Sequence, residues 1–107
     1  MDLNDYQKAA AETAVFPHQP EIEGVAIYPV LGLVGESGEF AEKIKKGIRD
    51  GRLDRAGAIK ELGDVLWYVA ACAGALGVDL NRVAEENLVK LHDRKKRDRI
   101  KGEGDER

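Results

Sequence analysis

The sequence predicts an all-α protein, a four-helix-bundle-like protomer that completes its core by oligomerisation. Apolar residues recur at helical spacing along most of the 107 residues, and strand signals are few. Asp54 and Asp79 stand where helix N-caps are expected. A chain of this length forms one domain with a small core, and such domains often gain further burial by association.

The first predicted helix begins at residue 3 or 4 and ends near residue 15. Asn4 or Asp5 is available as its N-cap. Pro17 and Pro20 then break the helical pattern, so an irregular loop is expected before the second helix. Within that loop Val25-Ala26-Ile27-Tyr28 could be extended, although no partner strand is evident.

The second predicted helix runs from about Val30 to Lys46 and ends at Gly47, with Pro29 in its first turn. Its apolar stripe, which reaches Ile48, is expected to be buried. Glycine is unfavourable inside a helix, so a repeat of glycines indicates close approach of another helix or of a ligand. The repeat consists of Gly32, Gly35 and Gly38.

Asp54 is expected to cap a third helix that runs from Arg55 to about Leu76 and ends at Gly77. Its wide apolar arc, which includes Ile59 and Leu62, implies more than one packing partner. A fourth helix is expected to begin at Leu80, capped by Asp79, and to carry its own apolar stripe.

Two acidic pairs, Glu36 with Glu39 and Glu61 with Asp64, lie in the second and third predicted helices. A spacing of three places both carboxylates of a pair on one side of a helix. If the two helices pack antiparallel, four carboxylates converge and repel one another unless a cation lies among them. Oxygen ligands of this kind suit Mg²⁺ or Mn²⁺, and Mg²⁺ often serves a phosphate-bearing substrate. The alternative is a pair of solvated acidic faces, and the residues alone leave both readings open.

Basic and polar residues near these helices are candidate substrate contacts: Lys43, Lys46, Asn87, Lys90 and Arg94. Most such lysines are solvated or form surface ion pairs. Asn87 interrupts the apolar stripe of the fourth helix, where it either fixes helix register or contacts a substrate.

The net charge of −3 argues against a general nucleic-acid coat, because an acidic protein is repelled by the phosphate backbone. The single cysteine, Cys72, cannot form an internal disulfide, which favours a reducing cytoplasm. Neither a signal peptide nor an apolar run of membrane-spanning length is evident, so no membrane partner is expected.

Residues 31–46, taken together with 60–68, resemble the MazG-like nucleotide pyrophosphohydrolases, which belong to the all-α nucleoside-triphosphate pyrophosphatases. The resemblance begins at Asp5-Tyr6-Gln7 and reaches Asn87-Leu88-Val89-Lys90-Leu91. Gly104-Asp105-Glu106-Arg107 also resembles the ending of some short members. On this basis residues 1–101 form a single MazG-like domain and residues 102–107 a mobile tail.

The resemblance implies a Mg²⁺-dependent hydrolase that cleaves the α–β phosphoanhydride of nucleoside triphosphates, works in nucleotide-pool cleaning, and assembles as a homodimer or homotetramer. The positions that match the family's metal ligands are Glu36, Glu39, Glu61 and Asp64. Asn87 and Lys90 match phosphate or sugar contacts, and Lys43 and Lys46 have weaker support.

Among these residues Glu36 or Glu39 would orient the attacking water. Lys90, with Arg94, would offset charge on the departing pyrophosphate. One departure is Gly35, where many members carry an acidic residue. Two other functions remain: a nucleotide- and Mg²⁺-binding sensor without useful turnover, and a helical oligomerisation partner whose acidic pairs are only surface.

Overall fold

A computed structural model describes all 107 residues as four helices and one short hairpin. The helices are α1 (Leu3–Ala11), α2 (Tyr28–Asp50), α3 (Arg55–Ala75) and α4 (Leu80–Lys96). Between α1 and α2 lie strands β1 (Glu21–Ile22) and β2 (Val25–Ala26). The prediction of an all-α protein is confirmed.

The N-cap of α1 is Asp2, and the prediction of Asn4 or Asp5 as the cap was wrong. Asp2 Oδ1 accepts from the Asp5 N–H at 2.8 Å, while Asp5 Oδ2 accepts from the Asp2 N–H at 3.2 Å. This reciprocal pair is a capping box. The helix ends at Ala11, earlier than expected, and Thr13 then accepts a hydrogen bond from Trp67 Nε1 at 2.9 Å.

The extended piece predicted at residue 25 does have a partner strand, contrary to expectation. β1 and β2 pair antiparallel in the register Glu21 to Ala26 and Ile22 to Val25. Glu23 and Gly24, which join them, have φ angles of 49° and 80°. Positive φ at both central residues is the requirement of a tight two-residue hairpin turn.

Helix α2 begins with Pro29 in its first turn, as predicted, but it does not end at Gly47. It continues to Asp50, and Gly51 ends it in the left-handed region with φ of 69°. The Gly51 N–H donates to the Gly47 carbonyl. A Cβ on Gly47 would lie 3.3 Å from the Leu53 Cα, so the absence of a side chain lets the α2–α3 turn approach closely.

The limits of α3 and the start of α4 agree with the predictions. Asp54 Oδ1 accepts from the Gly57 N–H at 3.0 Å, and Asp79 Oδ1 accepts from the Arg82 N–H at 2.8 Å. Each of these carboxylates therefore satisfies one of the N–H groups that a helix start leaves unpaired. Gly77, with φ of 76°, follows the end of α3.

Helix α3 is the central element, since α1, α2, α4 and β2 all pack against it. Its C-terminal half supplies Ala70 and Ala73, which form the buried core with Leu80. The Gln7 side chain of α1 connects α1 to this core. Its NH₂ group donates to the carbonyls of Ala70 and Val78. Its oxygen accepts from the Leu80 N–H at 2.9 Å.

The isolated protomer leaves much of its apolar surface uncovered. Only 6 of 107 residues are buried, and the surface area is 8199 Å², whereas a compact monomer of this mass exposes about 5,900 Å². Ile48, Ile59 and Leu62 were expected to be buried but are 81%, 69% and 53% exposed. No other element of the same chain covers them. None of the four helices has both the length and the apolar composition that a membrane span requires. Helices α3 and α4 taken together meet that requirement, but they are bent by 99° relative to each other.

Candidate metal centre and substrate site

The side-by-side packing of α2 and α3 gathers three of the four predicted carboxylates. Glu36 comes from α2, and Glu61 and Asp64 come from α3. One ligand oxygen of each lies within 4.8 Å of the others. Glu36 and Glu61 are half-buried, and Asp64 is exposed. The three residues are referred to below as the acidic cluster.

Glu39 lies one turn further along α2, outside the acidic cluster, and is exposed. Its charge still acts on the cluster, because it is among the groups that raise the pKa of Glu36. The structure thus brings Glu39 near the cluster without adding it to the set of closest oxygens.

The pKa of the Glu36 carboxyl is raised above its ordinary value. Burial is the largest cause, followed by the negative charges of Asp64, Glu61 and Glu39. An acid that is both partly desolvated and surrounded by like charges holds its proton more strongly. A cation placed among these oxygens would offset the repulsion between them and favour the ionised carboxyl, so the cluster has the electrostatic character of a cation site.

Aromatic rings form one wall of the acidic cluster. Glu36, Asp64, Trp67 and Tyr68 line a cavity of about 270 Å³. The rings of Trp67 and Tyr68 meet edge to face at 4.9 Å between centroids, and Phe16 packs against Trp67 at 5.7 Å. Sequence reasoning missed Trp67 as a site residue, although its position three after Asp64 places it on the same side of α3.

Gly32 explains how Tyr68 reaches this wall. A Cβ at Gly32 would overlap the Tyr68 ring, so the ring occupies the space that a larger residue would fill. By contrast, a Cβ at Gly35 or Gly38 would meet nothing within 4 Å in this chain. The close approach predicted from the glycine repeat is therefore confirmed at Gly32, where the approaching group is a side chain.

Two tyrosine hydroxyls are kept in the neutral form near the acidic cluster. Burial, followed by the charge of Asp64, raises the pKa of Tyr6. Burial is also the main cause of the raised pKa of Tyr68, to which Tyr28, Glu36 and Asp64 add. A phenol with the ordinary pKa of 10.0 is already neutral at pH 7, so both side chains offer O–H donors there, and the raised pKa extends this to higher pH.

Trp67 also borders a second cavity, of about 330 Å³, between α1 and α3. This cavity is lined mainly by alanines and by Phe16, and only Gln7 and Lys8 add polar side chains. The three hydrogen bonds of Gln7 are directed to backbone groups of the protein itself. The Trp67 indole thus lies between the cavity of the acidic cluster and the apolar cavity.

The predicted basic contacts of α4 face a different part of the surface. Asn87 and Lys90 line a cavity of about 500 Å³ with Arg82 and Asp105. Lys90 Nζ lies 2.6 Å from Asp105 Oδ1, and Arg94 is buried beside them. This cavity shares no lining residue with the cavity of the acidic cluster. One chain therefore does not bring its acidic and basic candidates into one pocket.

The lysines of α2 have separate surroundings. Lys43 Nζ lies 3.1 Å from Asp54 Oδ2, so this lysine pairs with the carboxylate that caps α3. Lys46 is exposed on α2. Glu42, near the acidic residues in sequence, pairs with Lys45 at 2.8 Å on the surface.

The donor set of the acidic cluster fits a hard divalent cation. It consists of carboxylate oxygens, with neither sulfur nor imidazole among the gathered ligands. Such ligands suit Mg²⁺ and Mn²⁺ better than a soft metal. The raised pKa of Glu36 is consistent with this fit, because it reflects burial first and then the negative charges of neighbouring carboxylates.

Comparison with known proteins agrees with this chemistry. Residues 29–98, which include α3, α4 and nearly all of α2, match the family described as the MazG nucleotide pyrophosphohydrolase domain. The chain is also 45% identical, over 115 aligned residues covering the full length of both chains, to the Gene 37 protein of Mycobacterium phage L5. That name states no activity. No solved structure matches the chain.

Proposed function

Because the chain belongs to the MazG nucleotide pyrophosphohydrolase family, we propose that it hydrolyses the α–β phosphoanhydride of nucleoside triphosphates in a Mg²⁺-dependent reaction. The products would be a nucleoside monophosphate and pyrophosphate, and the role that we propose is cleaning of the nucleotide pool. The observation that carries the proposal is the acidic cluster, whose three carboxylates lie within 4.8 Å inside the residues that match the family.

Glu36, Glu61 and Asp64 would hold the cation, and Glu39 would join them from the next turn of α2. When bound, Mg²⁺ or Mn²⁺ would neutralise phosphate charge and lower the pKa of a bound water. The protein's own contribution begins with placement, since two packed helices fix the carboxylates in position before substrate arrives.

The acidic side chains would also orient the attacking water or accept its proton. Glu39 is exposed and outside the close group, so its carboxylate is free to accept a hydrogen bond from water. Glu36 is the other candidate, because its carboxylate lies within the acidic cluster, beside the position of the cation. The neutral hydroxyl of Tyr68 would donate to a phosphate oxygen beside them.

The basic residues of α4 would receive the departing pyrophosphate. Lys90 and Arg94 would offset its negative charge, and Asn87 would contact phosphate or sugar oxygens. Lys43 and Lys46 on α2 are weaker candidates, and Lys43 would first have to leave Asp54. Because the acidic and basic cavities share no lining residue, we propose that a homodimer or homotetramer joins them across a subunit interface.

Product analysis tests the proposal directly. A panel of nucleoside triphosphates is incubated with the protein and Mg²⁺, and pyrophosphate is separated from orthophosphate. Monophosphate plus pyrophosphate is the expected result. Orthophosphate and a diphosphate would contradict the assigned bond, and nucleotide binding without any product would favour a sensor.

Conservative variants then test the acidic cluster. Glu61→Gln and Asp64→Asn should each lower turnover by at least about a hundredfold, because each removes a charged ligand from the reacting centre. Glu42→Gln is the matched control on α2, since Glu42 pairs with Lys45 at the surface. Circular dichroism should show unchanged helical content in all three. Full pyrophosphate release by either cluster variant would show that the metal site is wrongly assigned.

A further inference from the structure

The segment after α4 folds back on that helix. Arg107 closes the segment into a loop, because its side chain donates to the carbonyls of Arg99, Ile100 and Gly104. Arg97 Nη2 donates in turn to the Arg107 carbonyl at 2.8 Å. These contacts hold residues 98–107, referred to below as the C-terminal loop, against the end of α4. The mobility expected for residues 102–107 stays a prediction.

The loop presents one carboxylate to two cations of α4. Asp105 Oδ1 accepts from Lys90 Nζ at 2.6 Å and from Arg94 Nη2 at 3.0 Å. Arg94 Nη2 also donates to the Asp105 carbonyl. The Lys90 and Arg94 side chains are referred to below as the cation pair.

The two sides of this contact are unequal. The Arg94 side chain is only 4% exposed, whereas that of Asp105 is 73% exposed. Arg94 Nε is buried and has no hydrogen-bond partner. A fixed, incompletely satisfied guanidinium thus faces an acceptor carried by a surface loop. Leaving a buried polar group unpaired is costly, so an anion with more acceptor oxygens would satisfy this site better.

Lys90 of the cation pair, together with Asp105, lines a cavity that has room for such an anion. It measures about 500 Å³ and includes Asn87, whose amide is a further donor. Arg82 also lines it, but pairs with Glu86 at 3.1 Å. A phosphate group offers more oxygens and more charge than one carboxylate, and it accepts from the same donors.

We propose that Asp105 is an internal competitor for the cation pair, so that the C-terminal loop must leave Lys90 and Arg94 before a phosphate or pyrophosphate group binds there. The proposal rests on the proposed function, because that function assigns the cation pair to pyrophosphate. It adds a regulation of that site by a carboxylate, Asp105, that lies beyond the residues 29–98 matched to the family. The opposing possibility is that Asp105 orients Lys90 for catalysis, in which case removing it would weaken the site.

Binding of inorganic pyrophosphate without Mg²⁺, followed by isothermal titration calorimetry, separates these possibilities. Asp105→Asn should bind pyrophosphate about tenfold more tightly than the unmodified protein, because the competing charge is gone. Glu106→Gln, one residue along the same loop, makes the same change in net charge and should bind as the unmodified protein does. Equal or weaker binding by Asp105→Asn would overturn the proposal.

Arg107→Ala is a second, independent variant. It removes a positive charge, so simple electrostatics predicts weaker anion binding, whereas release of the loop predicts tighter binding. Tighter binding is expected, and weaker binding would count against a displaceable loop. Adding Lys90→Met to Asp105→Asn should abolish the gain; persistence of the gain would place the anion elsewhere and overturn the proposal. These readouts involve no turnover, so they can fail while pyrophosphate release by the enzyme stands.

Discussion

Burial and charge act together on the Glu36 carboxyl in the acidic cluster. Its pKa is raised first by burial and then by Asp64, Glu61 and Glu39. In the unfolded chain these neighbours are absent, so the folded protein binds the Glu36 proton more tightly than the unfolded protein does. Between the two pKa values the folded state carries more protons, and the free energy of unfolding falls as pH rises.

At the residue scale, the melting temperature of the metal-free protein should therefore rise as pH falls through the raised Glu36 pKa toward the ordinary value of 4.5. Added Mg²⁺ should raise the melting temperature more at neutral pH than near that value, because protons compete with the cation. Calorimetric scans with and without Mg²⁺ measure both effects. In Glu36→Gln both the pH dependence of the melting temperature and the stabilisation by Mg²⁺ should be smaller. In Glu85→Gln, on α4, both should be unchanged. An unchanged Mg²⁺ effect in Glu36→Gln would place the cation elsewhere.

Helix α2 shows how one glycine can be required while its repeats are not. The Tyr68 ring occupies the position of a Cβ at Gly32, whereas Gly38 faces open space. The Tyr68 ring belongs to the wall of the acidic cavity, so Gly32 links the packing of two helices to the shape of the site.

At the scale of this element, Gly32→Ala should destabilise the protein by about 1–3 kcal/mol, because the new methyl group displaces the Tyr68 ring. Gly38→Ala on the same helix should instead stabilise it by up to about 1 kcal/mol, since alanine is the better helix former. Urea unfolding measures both free energies. If the two variants had equal stability, the close contact between Gly32 and Tyr68 would be wrong.

Element limits were predictable where the signal is local. Asp54, Asp79 and Gly77 mark the ends of α3 and α4 by interactions within one turn, and the sequence pattern located them. The prediction of Asn4 as a possible N-cap of α1 failed because its side chain contacts another helix. Asn4 Oδ1 accepts from the Asn81 N–H at the start of α4, at 2.9 Å. A partner 77 residues away leaves no local trace.

The candidate site was likewise predictable where the signal is local and unpredictable where it depends on distant contacts. The spacing of the two acidic pairs predicted that four carboxylates converge if α2 and α3 pack antiparallel, and the structure brings three of them together, those of Glu36, Glu61 and Asp64. The placement of Trp67 depends on how α1 packs on α3, and that of Asp105 depends on how the C-terminal loop folds. Helical spacing could place Trp67 on the side of α3 that carries Asp64, but neither its contact with Thr13 nor the position of Asp105 has a periodic signal.

For the whole molecule, the decisive property is its shape. The radius of gyration is 16.4 Å, compared with about 13 Å for a compact domain of this length. A shallow apolar face on α3 is formed by Ile59, Leu62, Val65, Leu66 and Val69. We expect this face to pack against a second copy of the chain, which would give the larger core that the protomer lacks.

Leu62→Asp should therefore weaken self-association by at least about tenfold, because it places a charge in an apolar interface. Val15→Asp is the matched control, since Val15 is 90% exposed and lies off this face. Sedimentation velocity across a range of protein concentrations measures the effect. A monomeric unmodified protein, or undiminished assembly of Leu62→Asp, would show that the face has another role.

The side-chain contacts of Gln7 lead us to expect that some contacts form before others during folding. Its hydrogen bond to the Leu80 N–H joins residues 73 apart, whereas α2 and α3 are joined by a connection of only residues 51–54. Closing a long loop costs more chain entropy than closing a short one, so the α2–α3 hairpin can form early and the contact with α1 late. We therefore expect α1 to dock last, and only then do the Leu80 and Asn81 N–H groups of α4 gain their partners.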